Sequence, residues 1–313
     1  MRKLQALLVP VLALAACATP AGHRVLTQGN GKLVILDRQN EIEWQMPWGG
    51  IHDLHVLPSG NIMVQRGSAE VVEIDRETKQ VVWQYDSRIQ NGNQGKRVEV
   101  HAFQPLPNDV LMIAESGPAR IIEVDRNGAL LRETKLKVDR PHPHTDTRLV
   151  RKITNDHYLV CHEGDGVVRE YEQGSGRIVW EYDVPMFERK AKGGHGLEAF
   201  GDKCFCALRL ANGNTLIATG NGHSVIEVTP TGEIVWQVTQ EELNGIRLAW
   251  VTTLEVLDNG NVVIGNCHAG KGQPLLVEVE RDTKRVVWQL DEFDLLGNSV
   301  PNSVLLDATT SIR

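Results

Sequence analysis

Histidine is the residue type in this sequence most able to do chemistry, and its eleven copies are unevenly placed. Imidazole binds transition metals and exchanges protons near neutral pH. Nine of the copies stand in or beside long connecting segments, often near a carboxylate or an amide: His52, His55, His101, His142, His144, His162, His195, His223 and His268. We therefore expect several imidazoles to share one site, although any single one could instead hydrogen-bond a neighbouring strand.

Two kinds of chemistry fit these side chains. In the first, imidazole acts as a nucleophile or as a general acid or base, and a carboxylate fixes its tautomer. The candidates for that role are His101, His144 and His195, with Glu115 and Glu163 as orienting carboxylates. In the second, imidazoles from different repeats bind one divalent metal ion. The candidate metal ligands are His52, His101, His144 and His268.

Ligand contacts are expected from a further set of residues near the histidines: Trp48, Trp250, Arg148, Arg247 and Asn221. Trp48 and Trp250 stand outside the pattern of the other tryptophans. Each ring could stack on a sugar or an aromatic ligand, or it could simply cover the wall of a pocket.

The elements that must position these residues are short strands. Residues 52–84 contain runs of four to six residues rich in Val and Ile, cut by the turn signals Pro-Ser-Gly-Asn, Arg-Gly-Ser and Asp-Arg-Glu-Thr. Such runs are too short for helices and are typical of tight antiparallel hairpins. The stretch therefore predicts four consecutive strands.

The same unit recurs along the chain. Six copies are marked, at spacings of about 40 to 56 residues, by Trp44, Trp83, Arg132, Trp180, Trp236 and Trp288. Four strands repeated with a period near fifty indicate a β-propeller. Residues 24–45 supply only three strands and residues 302–307 supply one. We predict an all-β, six-bladed propeller over residues 24–313, with one blade shared by the two ends and a buried Trp in each outer strand.

The alternation of strand direction assigns the loops to faces. The short Pro-Ser-Gly-Asn and Asp-Arg-Glu-Thr turns share one face of the ring. The long connections, such as residues 86–100, 134–147 and 182–203, lie on the other face together with most of the histidines. Because inner strands point their ends at a central funnel, we expect the chemistry there.

The first residues read as an export signal. Arg2 and Lys3 precede an apolar run that ends in Leu-Ala-Ala-Cys, which resembles a bacterial lipobox. We predict a signal sequence at residues 1–16, a lipid-carrying Cys17 that anchors the protein to a membrane of the cell envelope, and a tether at residues 17–23. The net charge of −7, without a basic patch, argues against a nucleic-acid partner.

Four other cysteines, Cys161, Cys204, Cys206 and Cys267, leave two interpretations open. In an exported protein they could form disulfides, yet their spacing matches no framework. Buried free thiols are the alternative.

Residues 72–83, Val-Glu-Ile-Asp-Arg-Glu-Thr-Lys-Gln-Val-Val-Trp, resemble the PQQ-like β-propeller repeat. The resemblance covers nearly the whole chain after the leader and implies the propeller fold. It does not imply the quinone cofactor: large quinoprotein dehydrogenases have eight blades and a vicinal Cys pair, and the Ca²⁺ and quinone ligands of the six-bladed sugar dehydrogenases find no match here. We therefore expect no PQQ.

A second segment, residues 52–61, is similar to the His-Asp and Leu-Pro-Asn-Gly-Asn segments of arylsulfotransferase-like propellers. That resemblance implies a histidine that accepts sulfate and further His and Arg side chains that neutralise its charge. Arg148 and Arg247 are available for that purpose.

Together these features predict an exported lipoprotein that binds a small organic ligand, a carbohydrate or an aromatic conjugate, in a histidine-rich funnel. If it is an enzyme, we expect lyase, hydrolase or transfer chemistry. The alternative is a non-catalytic scaffold for a protein partner, by resemblance to the eight-bladed PQQ-like lipoprotein of the outer-membrane barrel-assembly machine.

Overall fold

The computed structural model describes residues 22–154 and 156–313, which form six antiparallel sheets in a ring, five with four strands and one with five. The predicted six-bladed propeller is therefore confirmed. Helix is confined, in these residues, to a 3₁₀ turn at Gln240–Glu242 and one turn of α-helix, α1, at Phe293–Leu296. The predicted signal sequence, Cys17 and most of the predicted tether lie outside the described residues.

The first three blades follow chain order from the inner strand outward, except that blade 1 takes its inner strand from near the other end of the chain. Their remaining strands are β1 Val25–Gly29, β2 Lys32–Leu36 and β3 Ile42–Pro47 in blade 1, β4 Leu54–Val56, β5 Ile62–Arg66, β6 Glu70–Ile74 and β7 Val81–Asp86 in blade 2, and β8 Glu99–Leu106, β9 Val110–Ser116, β10 Arg120–Val124 and β11 Leu130–Lys135 in blade 3.

Blades 4 to 6 repeat the arrangement. Their strands are β12 Val150–Lys152, β13 His157–His162, β14 Val167–Glu172 and β15 Ile178–Asp183, then β16 Cys206–Arg209, β17 Thr215–Ala218, β18 Ser224–Val228 and β19 Ile234–Thr239, and finally β20 Trp250–Leu257, β21 Val262–Cys267, β22 Leu276–Val279 and β23 Val286–Leu290. No helix among the described residues has the length and apolar character needed to cross a membrane.

The ring is closed by β24, Ser303–Leu305, which pairs antiparallel with β1 in the register Leu26 to Val304. Thr27 Oγ1 also donates to the carbonyl oxygen of Asn302 at 2.8 Å. The two partial units recognised in the sequence therefore complete one sheet, as predicted. Because β24 covers the edge of β1, that edge is not left unpaired, and an unpaired edge would be prone to aggregation.

Another short strand was not predicted. β25, Thr310–Ile312, pairs with the inner strand β20 in the register Val256 to Ile312, so blade 6 has five strands. It lies on the axial side of β20, where Arg313 donates to the carbonyl oxygens of Leu54 and Ser303 at 2.8 and 2.9 Å. A three-residue strand carries too little periodic pattern to be recognised from sequence.

The core lies between the blades. Middle strands such as β5 and β10 are buried on both faces because neighbouring sheets cover them, which explains their unbroken apolar runs. The outer strands alternate between exposed and half-buried residues. Their tryptophans were predicted to be buried, but they are half-buried, since each indole must reach the next blade.

Indole hydrogen bonds connect adjacent blades. Each of the following indole N–H groups donates to a carbonyl oxygen in the outer turn of the next blade: Trp44 to Arg76 at 2.8 Å, Trp83 to Arg126 at 2.7 Å, Trp180 to Pro230 at 3.0 Å and Trp236 to Arg281 at 2.9 Å. The repeated Trp is thus a structural contact between blades, as its position in the repeat indicates.

Candidate functional site

The inner strands of the blades begin at the same end of the ring's axis. A cavity of about 110 Å³ lies there, lined largely by residues at the start of these strands or in the connections that precede them. Six of the predicted site residues line it: His52, His144, Arg148, His195, Trp250 and His268. They come from connections to different blades, so residues far apart in sequence meet because the strands converge. The walls also include Phe205 and Cys267.

Glu99, His101 and His144 form a group suited to a metal ion beside this cavity. Their potential ligand atoms all lie within 4.8 Å of one another. Glu99 Oε2 is 3.2 Å from His101 Nε2 and 2.7 Å from His144 Nδ1. Ligands about 2 Å from one tetrahedral ion are separated by roughly 3 to 3.5 Å, so the three groups need little movement to bind one.

Both ring nitrogens of His101 face hydrogen-bond acceptors, as do those of the buried His223. His101 Nδ1 is 2.8 Å from the carbonyl oxygen of Thr147, and His101 Nε2 faces the Glu99 carboxylate. Both partners are acceptors, so a neutral ring can donate to only one of them and a doubly protonated, charged ring can donate to both. The ring is 1% exposed, and burial lowers the pKa of His101, which disfavours that charge. Hydrogen bonding by His101 in turn holds the pKa of Glu99 far below its usual range.

A β-bulge aims His101 at this position. The pairing of β8 with β9 shifts between Val100 and Ala102, which leaves His101 as the additional residue. A similar shift in β20 between Val251 and Leu254 occurs at Thr252, another residue of the cavity wall. Bulges re-aim side chains and are common beside active sites.

His52 and Arg148 lie on the inner part of the cavity. The His52 ring is 4.5 Å from that of His101, and burial, with the neighbouring positive groups, holds the pKa of His52 well below its usual value. Arg148 donates through Nε to Glu163, and its guanidinium lies 5.5 Å from the centre of the Phe205 ring. His52 Nδ1 and Arg148 Nη1 are buried without a hydrogen-bond partner.

His195, Trp250 and His268 form the opposite wall. The exposed His195 ring lies 4.7 Å from the buried Trp250 ring and 5.3 Å from the His268 ring. Burial, followed by the nearby His195, lowers the pKa of His268. The predicted metal ligands thus divide: His101 and His144 share the group with Glu99, His52 is adjacent to it, and His268 lies with His195.

Other predicted site residues have different surroundings. Glu163 contacts Arg148 and Lys203 rather than an imidazole. Glu115 pairs with Arg120 at 2.6 Å. Trp48 donates its indole N–H to the carbonyl oxygen of Gln65, Arg247 is exposed, and the Asn221 side chain accepts a hydrogen bond from the backbone N–H of Lys203.

Three further histidines have hydrogen bonds within the fold. His55 contacts the carbonyl oxygen of Phe103, His162 lies between the Asp146 carbonyl and the Tyr171 hydroxyl, and His223 lies between the carbonyls of Ala199 and Leu248. The cysteines, whose state was left open, are buried free thiols.

Glu99 was missed by sequence reasoning, although it contacts two of the predicted histidines. The spacing Glu99-Val100-His101 was a usable signal, because alternate residues of a strand share a face. Phe205 was also missed, since a single apolar residue at the start of an inner strand is indistinguishable from core.

Solved structures with a similar fold confirm the propeller. A Bacteroides caccae protein described as of unknown function is 24% identical, with a TM-score of 0.73, over 90% of this chain and 98% of that one. A streptogramin B lyase is 13% identical, with a TM-score of 0.54, over 85% of this chain and 82% of that one. Virginiamycin B lyase from Staphylococcus aureus is 13% identical, with a TM-score of 0.51, over 85% and 83%.

At the sequence level, no curated protein matches the chain. The family described as outer membrane protein assembly factor BamB matches residues 29–290, which include strands of every blade. The likeness to PQQ-like repeats noted in the sequence agrees with this match. The chain therefore belongs to the family described as outer membrane protein assembly factor BamB, with a PQQ-like propeller fold.

Proposed function

We propose that this propeller binds a divalent metal ion of the zinc class between Glu99, His101 and His144, and that the ion and the cavity histidines together bind and transform a small organic ligand. Two imidazoles and one carboxylate are ligands that zinc accepts, and three protein ligands leave one position for a ligand or water. The single observation that carries the proposal is the placement of His101.

A metal ion resolves the conflict at His101. With an ion at Nε2, the ring needs one proton only, and that proton donates from Nδ1 to the Thr147 carbonyl oxygen at 2.8 Å. Metal-binding histidines commonly donate their other ring N–H to a backbone carbonyl in this way. The Glu99 carboxylate would then face the metal ion rather than the lone pair of His101 Nε2. The half-exposed His144 would complete the ligand set from the loop that precedes β12.

The remaining histidines suit acid–base chemistry beside such an ion. His268 and His195 face the cavity from the wall opposite the metal group, and Trp250 packs against His195. A metal ion can polarise a ligand oxygen while an imidazole transfers a proton. The proposed reaction is therefore metal-assisted hydrolysis, elimination or transfer, and it takes place in the cell envelope with which the family is associated.

Zinc titration tests the proposal. The purified protein is stripped with a chelator and titrated with Zn²⁺ by calorimetry, and we expect one equivalent to bind. Glu99→Gln, and His101→Ala combined with His144→Ala, should weaken binding at least ~10-fold, the lower limit seen even for residues that only orient a metal ligand. The matched control is His157→Ala, because His157 contacts Glu170 at 2.5 Å in a similar pair at the opposite end of the blades.

A wild-type protein that takes up no zinc would contradict the proposal, as would equal affinity in the Glu99→Gln variant. ¹⁵N spectra of the imidazoles add a second readout. A His101 ring that carries protons on both nitrogens, and keeps them in the presence of Zn²⁺, would show that the site holds an imidazolium.

A second candidate function is favoured by the family match and by the outer strands. The family description names outer membrane protein assembly. Apolar residues on the unpaired outer edges are exposed, for example Val82 at 54%, Leu131 at 50% and Val235 at 53%. Unpaired edges with apolar side chains can receive a strand or an apolar surface of a partner.

This assembly role predicts a different set of sensitive residues. In cells that depend on the protein, Val82→Lys with Val235→Lys should reduce the abundance of outer-membrane proteins, whereas Glu99→Gln should have no effect on it. The opposite result would exclude the assembly role and favour the cavity.

A further inference from the structure

Arg148 has a buried guanidinium nitrogen, Nη1, without a hydrogen-bond partner. Its side chain is 5% exposed, and its Nε donates to Glu163, whose side chain is 3% exposed. Its backbone N–H donates to the carbonyl oxygen of Cys161 at 2.8 Å, which fixes the start of the segment. Nη1 has no hydrogen-bond partner, yet Arg148 lines the same cavity as His52 and His268.

An N–H group of a buried cation rarely stays unpaired. Leaving a buried polar group without a partner is unfavourable, and it is more so for a charged group. Glu163 accepts from Nε and holds the guanidinium in place, while the Phe205 ring, 5.5 Å away, supports it from the side. The fold therefore leaves the guanidinium of a residue in the cavity wall incompletely paired, and an acceptor bound in the cavity can supply a partner.

The charges around the cavity favour a negative acceptor. Arg148 and Lys203 are positive and share one carboxylate, Glu163, with Lys203 Nζ at 3.4 Å. Glu99 is the acidic group of the metal cluster, and a divalent ion bound there would more than neutralise it. The histidines that line the cavity can donate or accept, but they carry no negative charge.

The size of the cavity limits what it can hold. At about 110 Å³ it is smaller than the ~150 Å³ cavity that encloses benzene. A whole sugar or aromatic ring would not fit. A group of four or five non-hydrogen atoms would fit, with the rest of the ligand extending past the exposed rings of His144 and His195.

We propose that the cavity selects ligands with an anionic oxygen headgroup, a carboxylate or a phosphate, whose oxygen accepts a hydrogen bond from the Arg148 guanidinium. This inference names the ligand class of the cavity and so rests on the proposed function. Arg148 is the specificity-determining residue, and Glu163 positions it. The organic remainder of the ligand lies outside the cavity and contributes less to selection.

Small probes test the headgroup directly. Acetate, inorganic phosphate and the neutral acetamide are titrated into the metal-free protein, and acetate also into the zinc-loaded protein, while the imidazole signals of His268 and His195 are followed by NMR. We expect acetate and phosphate to give saturable shifts and acetamide to give none. Arg148→Met should raise the Kd for acetate at least ~10-fold, since a hydrogen bond to a charged group is lost.

Controls separate this effect from misfolding. Arg177→Met removes an exposed arginine from the turn between β14 and β15, on the opposite face of the ring, and should leave the Kd for acetate unchanged within about twofold. Arg148→Lys keeps the charge opposite Glu163 but removes the planar fork of N–H donors, so it should fold and still weaken acetate binding several-fold. The more tightly bound of acetate and phosphate identifies the headgroup.

The outcomes distinguish the two proposals. Equal acetate affinity in the wild type and both Arg148 variants would overturn this inference even if Zn²⁺ binds, as would binding of acetamide as tight as that of acetate. Conversely, acetate binding that depends on Arg148 in a protein that takes up no zinc would support the inference and overturn the metal site.

Discussion

His268 has a backbone conformation that few side chains adopt. Its φ of 62° lies in the left-handed region, and its backbone N–H donates to the carbonyl oxygen of Asn298 at 2.7 Å. A residue other than glycine costs about 1 to 2 kcal/mol in this conformation. Such strain is typically found at functional sites, because the surrounding structure must hold it. Here the strained residue presents its ring to the cavity.

Replacing His268 with glycine should separate stability from function. We expect His268→Gly to leave the free energy of unfolding unchanged or to raise it by up to ~1 kcal/mol, because glycine adopts this φ without strain. Acetate binding should weaken. The matched control is Asn108→Gly, at a φ of 62° in an exposed turn of the other face, which should stabilise the protein similarly and leave acetate binding intact.

Urea unfolding and NMR titration of both variants provide the measurement. If His268→Gly lowered the free energy of unfolding by more than about 1 kcal/mol, the ring would be retained for packing rather than for the cavity.

At the residue scale, residue types indicated which side chains lie near the cavity, but they did not indicate which side chains pair with one another. Of the nine histidines predicted on one face, His52, His144, His195 and His268 line the cavity with Arg148 and Trp250, whereas His55, His162 and His223 form hydrogen bonds within the fold. The partners of the carboxylates could not be predicted, because they depend on the register between strands. Glu115 faces Arg120 across β9 and β10, and Glu163 faces Arg148.

At the scale of the element, the outer strands act through their tryptophans. Trp83 in β7 donates its indole N–H to the carbonyl oxygen of Arg126 at 2.7 Å, and the Arg126 guanidinium lies 4.5 Å from the centre of the indole. Because Arg126 belongs to the turn between β10 and β11, this one side chain connects blade 2 to blade 3. Each such contact reinforces a boundary at which no backbone ladder is expected.

We expect Trp83→Phe to lower the free energy of unfolding by about 1 kcal/mol, the net contribution of one hydrogen bond, while the ring still packs. Trp180→Phe is the graded comparison and should cost less, since its bond to the Pro230 carbonyl oxygen is longer, at 3.0 Å, and lies in an exposed position. Urea midpoints at constant slope give both values. Equal, near-zero losses would show that the indoles contribute by packing alone.

Repetition explains why the strands could be predicted and β25 could not. Each four-strand unit carries the same turns, so six copies support one interpretation. β25 occurs once, has three residues, and pairs with β20 at the axis rather than with a sequence neighbour. The bulge at His101 was equally inaccessible, because it changes the pairing without changing the residue pattern.

At the scale of the whole molecule, the ring is held closed by both backbone and charge. β24 pairs with β1, and Asp307 accepts from the Arg24 backbone at 3.0 Å and from Arg38 at 2.6 Å. His23 connects the same region to blade 6 through Glu278 at 2.9 Å. The hydrogen bond with Glu278 raises the pKa of His23.

This histidine should make ring closure pH-dependent. A raised pKa means that the pair stabilises the fold fully below the unfolded pKa of about 6.5 and that this contribution is lost as pH rises through the folded pKa. We expect His23→Gln to lower the free energy of unfolding by roughly 1 kcal/mol at pH 6 and by clearly less at pH 9.

Unfolding in urea at the two pH values provides the measurement, with Glu278→Gln as the partner variant. The two substitutions should not be additive at pH 6, because they remove the same contact. An equal loss for His23→Gln at both pH values would show that the charge of His23 contributes nothing.

Arg313 and β25 occupy the central axis of the ring and limit access to the cavity from that side. Beside the inner strand of blade 6, the Arg313 side chain reaches carbonyl oxygens of blades 1 and 2, and its own carbonyl oxygen accepts from Arg151 of blade 4 at 3.1 Å. Arg313 therefore crosses the central axis of the ring and blocks it at the end away from the histidines. On the proposed function, a ligand would therefore enter and leave the cavity through one opening, and a polymer could not thread through the ring.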